Sequence, residues 1–419
     1  MISSPRHLAA KAHDLDGSDP LAHFQDYFVS PTDGVLYLDG NSLGRLPKAT
    51  MSAVAHTVEH EWGTDLVRSW KTWIDLPTAI GDELAPLIGA QPGTVVITDQ
   101  TSLNIFKMAS ALLEASGRPN IVSDSTNFPS DLYILQGVAQ RAGGELRVIE
   151  ASADVGCTPQ ALADAIDDTV GLVELSHVTF KGGAVAAMDR LTQTAHDGGA
   201  YTLWDLAHSA GVYPVDLAGT NTDAAIGCTY KHLNAGPGAP GFIYVRSDLI
   251  TTLHQPIQGW WGHTDPFAFD LDYRPVEDIR RFGVGTVAVL SLIGVREGVR
   301  LSAEAGISAI RKKSTGLTSF IIEFYDAVLS ELGCGLATPR SDDTRGAHVA
   351  ITHPHAYQLS QALIDRNVVP DFRAPDTLRL GIAPLANSYC EVYEALDTLR
   401  EILASKAYLS STPQRGVLT

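Results

Sequence analysis

Two stretches decide the reading of this chain: Tyr201-Thr-Leu-Trp-Asp205-Leu-Ala-His208 and Ala224-Ala-Ile-Gly-Cys-Thr-Tyr230-Lys231-His232. Each opens as an apolar run of strand length and closes on ionisable side chains. Taken singly, Asp205 reads as a helix cap and Lys231 as a surface lysine snorkelling at a strand end. Taken together they are harder to dismiss, because an acid and a lysine at the ends of buried strands are disfavoured unless paired or functional. In an open α/β sheet, ligands bind outside the carboxyl ends of the strands, so both groups can face one crevice.

Working outward, short β-branched runs alternate with stretches of helical period from about Pro92 to Val245. The strand candidates are 94–98, 120–123, 146–150, 171–175, 201–205, 224–228 and 241–245. The pattern predicts an α/β fold with a mostly parallel seven-stranded sheet sandwiched by helices. After Thr286 the pattern changes to a long apolar-periodic segment reaching about Leu332. A strand at 348–352, a helix over 356–366, a strand pair around 371–381 and a last helix over 388–403 follow, predicting a smaller α+β domain. Residues 1–50, with a helix-like start and a strand at 35–38, are too short to fold alone and are expected to pack on that domain. The expected division is therefore an N-terminal segment 1–50, a large domain 51–290, a small domain 291–404 and a frayed tail 405–419.

Composition narrows the function. A chain of 419 residues with 45% hydrophobic and 19% charged residues suits a soluble globular protein with a large core. Its formal charge of −18, with no basic run longer than Arg311-Lys312-Lys313, disfavours nucleic acid and anionic membranes as partners. Cys157, Cys228, Cys334 and Cys390 lie far apart, without the spacing of a zinc knuckle or a disulfide framework. Arg6, Lys11, Asp14, Asp16 and Asp19 interrupt the first thirty residues, leaving no secretory apolar core, and no run approaches the roughly 18 apolar residues of a membrane span. The expected location is the cytoplasm.

Three motifs mislead. Gly236-Pro-Gly238-Ala-Pro-Gly241 fits a dinucleotide fingerprint by letter, but it carries two prolines and leads into a strand, whereas that site needs free N–H groups opening a helix. Gly283-Val-Gly285-Thr-Val-Ala288 opens a helix but follows a charged segment, not a buried strand. His56-Thr-Val-Glu59-His60 has the spacing of an inverted zinc peptidase, the sharpest alternative from another class. So short a pattern also arises by chance, and histidines on a charged helix commonly face solvent.

The Asp205–Lys231 pairing suits pyridoxal phosphate. A lysine forms a Schiff base with the aldehyde, and a carboxylate pairs with the protonated pyridine nitrogen, keeping the ring an electron sink. Thr101-Ser102 follows a strand and begins a helical run, where hydroxyls and free N–H groups hold a phosphate or form an ordinary cap. Phe128-Pro-Ser130-Asp131 offers an aromatic face and a second carboxylate.

These residues reach a resemblance. The order Asp39-Gly-Asn41-Ser-Leu-Gly44, Thr101-Ser102-Leu-Asn104, Phe128-Pro-Ser130-Asp131, Asp205-Leu-Ala-His208, Tyr230-Lys231-His-Leu-Asn234-Ala-Gly236, Gly259-Trp260-Trp-Gly-His263 and Leu378-Arg379 resembles the kynureninase family. That family belongs to the fold type I pyridoxal-phosphate enzymes, with class V aminotransferase-like relatives, and the match runs from about residue 37 to 404. The resemblance implies hydrolysis of L-kynurenine to anthranilate and L-alanine by Cβ–Cγ cleavage, in tryptophan catabolism.

It also implies roles. Lys231 would carry the cofactor and move the α-proton, Asp205 would pair with the ring nitrogen beside Asp131, Phe128 would stack on the ring, and His208 would position it. Thr101, Ser102, Ser130, Ser176 and Tyr230 would complete the cofactor site, with Trp260 and Thr286 reaching across from a second subunit of a homodimer. Tyr230 would be the general acid and Arg379 would grip the substrate carboxylate. Trp70, Asn41, Gly285 and His263 would line the substrate pocket. His232 departs from the tyrosine frequent after the lysine, and its side chain is expected to point away from the site. Trp70 with Gly285-Thr286 is similar to the bacterial form of the aromatic pocket, implying a preference for L-kynurenine over 3-hydroxykynurenine. Related alternatives are an aminotransferase and a cysteine desulfurase; the latter needs a reactive thiol, and Cys334 sits in an apolar stretch that predicts an inert one.

Overall fold

The computed structural model describes residues 5–409. In chain order its strands are β1 (Leu36–Tyr37), β2 (Val95–Ile97), β3 (Asn120–Asp124), β4 (Leu146–Ile149), β5 (Val170–Ser176), β6 (Tyr201–Asp205) and β7 (Ala224–Gly227). They continue as β8 (Phe242–Val245), β9 (Gly335–Leu336), β10 (His348–Thr352), β11 (Val368–Val369), β12 (Asp371–Arg373) and β13 (Thr377–Gly381). Seven form one sheet in the order β2-β8-β7-β6-β5-β3-β4. β8 runs antiparallel to both neighbours, and every other pair is parallel. All seven strand candidates are present, β6 with the predicted bounds.

The apolar runs are continuous because both faces of the sheet are covered. Val96, Leu172, Leu203, Ile226 and Ile243 pack into one layer with the Thr101–Ser116 and Pro129–Arg141 helices. Their chain neighbours Ile97, Val173, Trp204, Ala225 and Tyr244 pack into the other, with the Leu76–Leu84, Met188–Asp197 and Val289–Ala305 helices. This is the period of two that a pleated strand imposes, and each fully buried Ile, Val or Leu contributes about 1.5–3 kcal/mol. The chain starts at the β2 edge, crosses to β3 and β4, then walks back through β5, β6, β7 and β8. The carboxyl ends of β5, β6 and β7 therefore lie side by side in mid-sheet.

A second core lies around the antiparallel sheet β12-β13-β10-β9. The Ala356–Ile364 and Tyr389–Ser405 helices cover it, the latter opened by a capping box between Ser388 and Glu391. Leu8, Ala12 and Leu38 of the N-terminal segment share this core with Phe320, Val349, Leu378 and Leu396, and β1 pairs in parallel with β11. The Val289–Ala305 helix gives Leu292, Val295 and Val299 to the large-sheet core, so the chain passes to the second core after Gly306 and not at 290. The tail differs from expectation in part: the last helix reaches Ser405, and the buried ring of Tyr408 stacks edge-on at 5.5 Å from His353. Residues 410–419 lie outside the described residues. Among the described residues no helix is long and apolar enough to cross a membrane.

Gly44 ties the N-terminal segment to the large sheet. Its N–H donates to the Tyr230 carbonyl at 2.8 Å, and a Cβ there would lie 2.3 Å from the Lys231 carbonyl oxygen. Only glycine allows that approach.

Candidate active site

The carboxyl ends of the strands deliver side chains into one cavity of about 220 Å³. β5 brings Ser176, β6 brings Asp205 and the following His208, and the turn after β7 brings Tyr230 and Lys231. The Thr101–Ser116 helix presents Thr101 and Ser102 from its first turn, and the Pro129–Arg141 helix presents Phe128, Ser130 and Asp131 from its own. Asn41 enters from the N-terminal segment, and Arg379 enters from β13. The cavity thus lies between the two cores.

Lys231 Nζ donates to His208 Nε2 at 2.8 Å and lies 6.0 Å from the Phe128 and Tyr230 ring centroids. Burial holds the His208 imidazole well below its ordinary range, and the cations Lys231 and Arg379 add to that. A neutral ring is a suitable acceptor for the lysine. His232 lies outside the cavity, its ring 6.5 Å from that of His208.

Three carboxyls crowd beneath the lysine. Burial pushes Asp205 up while Lys231 opposes, and its Oδ1 accepts the Ala207 N–H at 2.8 Å. Burial and then Asp205 push Asp131 well above the usual carboxylate range, and its Oδ2 is buried without a partner. Glu174, fully buried on β5, is pushed up by burial and by both aspartates. Asn127 braces Glu174: its amide donates to that carboxyl, and its oxygen accepts from Ser176 Oγ at 2.7 Å and the Phe128 N–H at 2.8 Å. So much buried acid calls for a further N–H donor or cation, which a protonated pyridine ring supplies. At the opposite end, Ser102 Oγ lies 3.3 Å from Ser130 Oγ beside the free N–H groups of a helix start, a cradle for phosphate. The donor set fits pyridoxal 5'-phosphate.

Burial pushes the Tyr230 phenol up, reinforced by Cys228 and Asp205, so it keeps its proton at neutral pH. Burial lowers Arg379 to about 10, opposed chiefly by Asp371, so it stays charged. Its Nη1 donates to the Phe180 carbonyl at 2.5 Å, and its Nη2 donates to Ser42 Oγ at 3.1 Å and to Asp371. With the amide turned to satisfy both neighbours, Asn41 accepts from Arg379 Nε at 2.8 Å and donates to Asp39 at 3.3 Å. Gly381 makes room for it, since a Cβ there would sit 1.6 Å from the end of the Asn41 amide.

Five expected site residues lie outside this cavity within one chain. Trp260 and His263 line a groove of about 600 Å³ with Phe267 and Phe269, and Gly285 and Thr286 line another of about 500 Å³ with Asp99 and Gln100. Trp70 stacks edge-on against Trp260 at 6.2 Å. The His263 ring bonds within its own loop, 2.8 Å from the Asp265 carbonyl and 3.3 Å from that of Asp272. Sequence reasoning missed Ser42, Phe180, Ala207 and Arg373, which line the cavity, and Asp371 and Glu174 behind it.

The zinc-peptidase spacing lies outside this cavity, with the His56 and His60 rings 4.8 Å apart. His56, Glu59 and His60 are all exposed, and among the described residues no three His, Cys, Asp or Glu side chains cluster closely enough to hold a metal ion. Cys334 is buried, with its thiol pushed up to about 11 by burial, as an inert cysteine should be.

Comparison with known proteins shows the family. A family model described as the kynureninase C-terminal domain matches residues 310–399. A kynureninase from Burkholderia pseudomallei is 43% identical over 403 residues, covering 94% of this chain and 95% of that one. This chain belongs to the kynureninase family. The kynureninase fold seen here is shared with a cysteine desulfurase from Thermococcus onnurineus (TM-score 0.77, 22% identity, 94% of this chain and 98% of that one). It is shared too with a C-DES mutant solved with glycine covalently linked to its pyridoxal-phosphate cofactor (TM-score 0.78, 19% identity, 88% and 97%).

Proposed function

We propose that the protein is a pyridoxal-phosphate-dependent kynureninase that hydrolyses L-kynurenine to anthranilate and L-alanine. The observation that carries this reading is the meeting of Lys231, Asp205 and Arg379 in one cavity, in a chain 43% identical to a named kynureninase. When bound, the cofactor draws electrons from the substrate's α-carbon and so eases cleavage between the β-carbon and the γ-carbonyl.

The residues of the chain do the rest. Lys231 holds the cofactor and then carries the proton at the substrate's α-carbon, with His208 orienting Nζ. Asp205 binds the ring N–H, steadied by the Ala207 amide, and Asp131 stands beside it. Phe128 covers the ring face, and Ser176 anchors Asn127 below. Thr101, Ser102 and Ser130 take the phosphate at the helix start. Arg379 and Asn41 take the α-carboxylate. Water adds to the γ-carbonyl, the Cβ–Cγ bond of the hydrate breaks to leave the carboxyl of anthranilate, and Tyr230, which keeps its proton, gives it to the β-carbon and takes back the one the hydrate releases. Tyr230→Phe is expected to slow turnover about 100-fold while cofactor binding holds. An unchanged kcat would remove Tyr230 as the acid.

The homodimer and the substrate choice belong to the same proposal. Trp260 and Thr286 point to grooves away from their own Lys231, and exposed Trp62, Leu66, Val67, Phe267 and Phe269 leave apolar surface for a second copy to cover. Analytical ultracentrifugation is expected to give the mass of two chains; a monomer active at the same dilution would undo this part. Trp70, Trp260, Gly285, Thr286 and His263 then frame the aromatic pocket, in which Trp70 with Gly285-Thr286 is similar to the bacterial form. The kcat/KM for L-kynurenine is expected to exceed that for 3-hydroxykynurenine by about tenfold or more. Equal values would contradict the assignment. We place the enzyme in the cytoplasm on its free, widely spaced cysteines; recovery of the native protein in a secreted fraction would overturn this.

A further inference from the structure

The carboxylate-binding corner holds a second arginine that the reaction as described leaves unused. β12 and β13 are antiparallel, and their register sets Asp371 opposite Arg379 and Arg373 opposite Thr377. Residues two apart on a strand share a face, so Asp371, Arg373 and Arg379 project to the same side of this sheet. Both arginines line the Lys231 cavity. Asp371, fully buried, lies between them: its Oδ2 accepts from Arg379 Nη2 and sits 3.0 Å from Arg373 Nη2. In direct contact, therefore, one carboxylate faces two guanidiniums.

Donor accounting makes the second arginine matter. A guanidinium has five N–H bonds. Arg379 already commits Nε to Asn41, Nη1 to Phe180, and Nη2 to Ser42 and Asp371. That leaves one N–H, whereas a bidentate grip on a carboxylate takes two. Arg379 is also almost wholly enclosed. The Arg373 side chain lines the cavity, is one-third exposed, is anchored among the described residues only through Asp371, and keeps its Nε buried without a partner there.

We infer that Arg373 is a second substrate-binding residue, which shares the α-carboxylate of the amino-acid substrate with Arg379, and that Asp371 is the positioning residue that holds both guanidiniums to one side. The carboxylate then meets a single N–H from Arg379 and the open donors of Arg373. This geometry selects α-amino acids over amines at two points. The inference rests on the proposed reading only in taking the substrate to be an α-amino acid.

The test compares two ligands that differ in the carboxylate. L-Alanine and ethylamine are each titrated into the cofactor-loaded enzyme and followed through the visible absorption of the bound cofactor. Arg373→Gln is expected to weaken L-alanine binding about tenfold or more and to change ethylamine binding less than twofold. Arg373→Lys, which keeps the charge, is expected to recover most of the loss. With L-kynurenine, the same glutamine variant raises KM tenfold while kcat stays within threefold. An equal loss for both amines would make Arg373 merely structural, and unchanged L-alanine binding would remove it from the site; either result overturns the inference. Neither titration depends on hydrolysis, so failure of the wild-type enzyme to release anthranilate would sink the reaction without deciding the role of Arg373.

Discussion

Lys231→Ala is expected to lose covalent attachment of pyridoxal phosphate and to cut anthranilate release by about four orders of magnitude. The lysine has no understudy. His208 Nε2 lies 2.8 Å from Nζ, but burial and the neighbouring cations hold that imidazole well below its ordinary range, so it is a poor base. Burial pushes Tyr230 up, so the phenol is a donor and not an acceptor at neutral pH. Asp131 and Asp205 are assigned to the cofactor's ring nitrogen, and that role would leave neither of them for the α-carbon. The measurement is the visible band of the bound cofactor together with steady-state turnover. Retention of turnover within tenfold of wild type would contradict the role of Lys231.

Asp205→Asn is expected to lower kcat by about 100-fold or more, because a buried pair broken at one partner loses about 3–5 kcal/mol. Asparagine keeps the shape at the end of β6 and its side-chain oxygen can still accept the Ala207 N–H, so the fold should persist. What would disappear is the charge assigned to holding a proton on the cofactor's ring nitrogen. The cofactor-free protein should respond in the opposite sense. Burial raises the folded-state Asp205 pKa from 3.8, so folding binds the proton more tightly. Stability is therefore lost as pH rises from about 4 through that raised value. Removing the charge relieves this loss, and the cofactor-free variant should melt no lower than the parent at pH 7. Wild-type turnover by the variant would refute the ring-nitrogen role. A melting temperature well below the parent would make the damage structural.

Much of this was legible because local rules and the fold agree. The β6 and β7 runs are apolar to their last residues and then turn ionisable, which marks strands buried on both faces that open into a crevice. Thr101-Ser102 and Phe128-Pro-Ser130-Asp131 were readable as helix starts after strands. Other parts had no local signal. Phe180 contributes a backbone carbonyl to Arg379 from a loop, and any residue type has one. Asp371 and Arg373 needed the antiparallel register with β13, which alternation within β12 suggests but cannot fix. Glu174 sits inside an apolar strand and is tolerated through Asn127, a partner forty-seven residues away in sequence. The core that the Val289–Ala305 helix joins had no local signal either, because an amphipathic pattern tells that a face is buried but not against which core.

The most direct test is to count products from L-kynurenine incubated with the purified protein and pyridoxal phosphate. The account predicts anthranilate and L-alanine in equal amounts. A cofactor band that depends on Lys231 without anthranilate would leave the fold standing and contradict the assigned reaction.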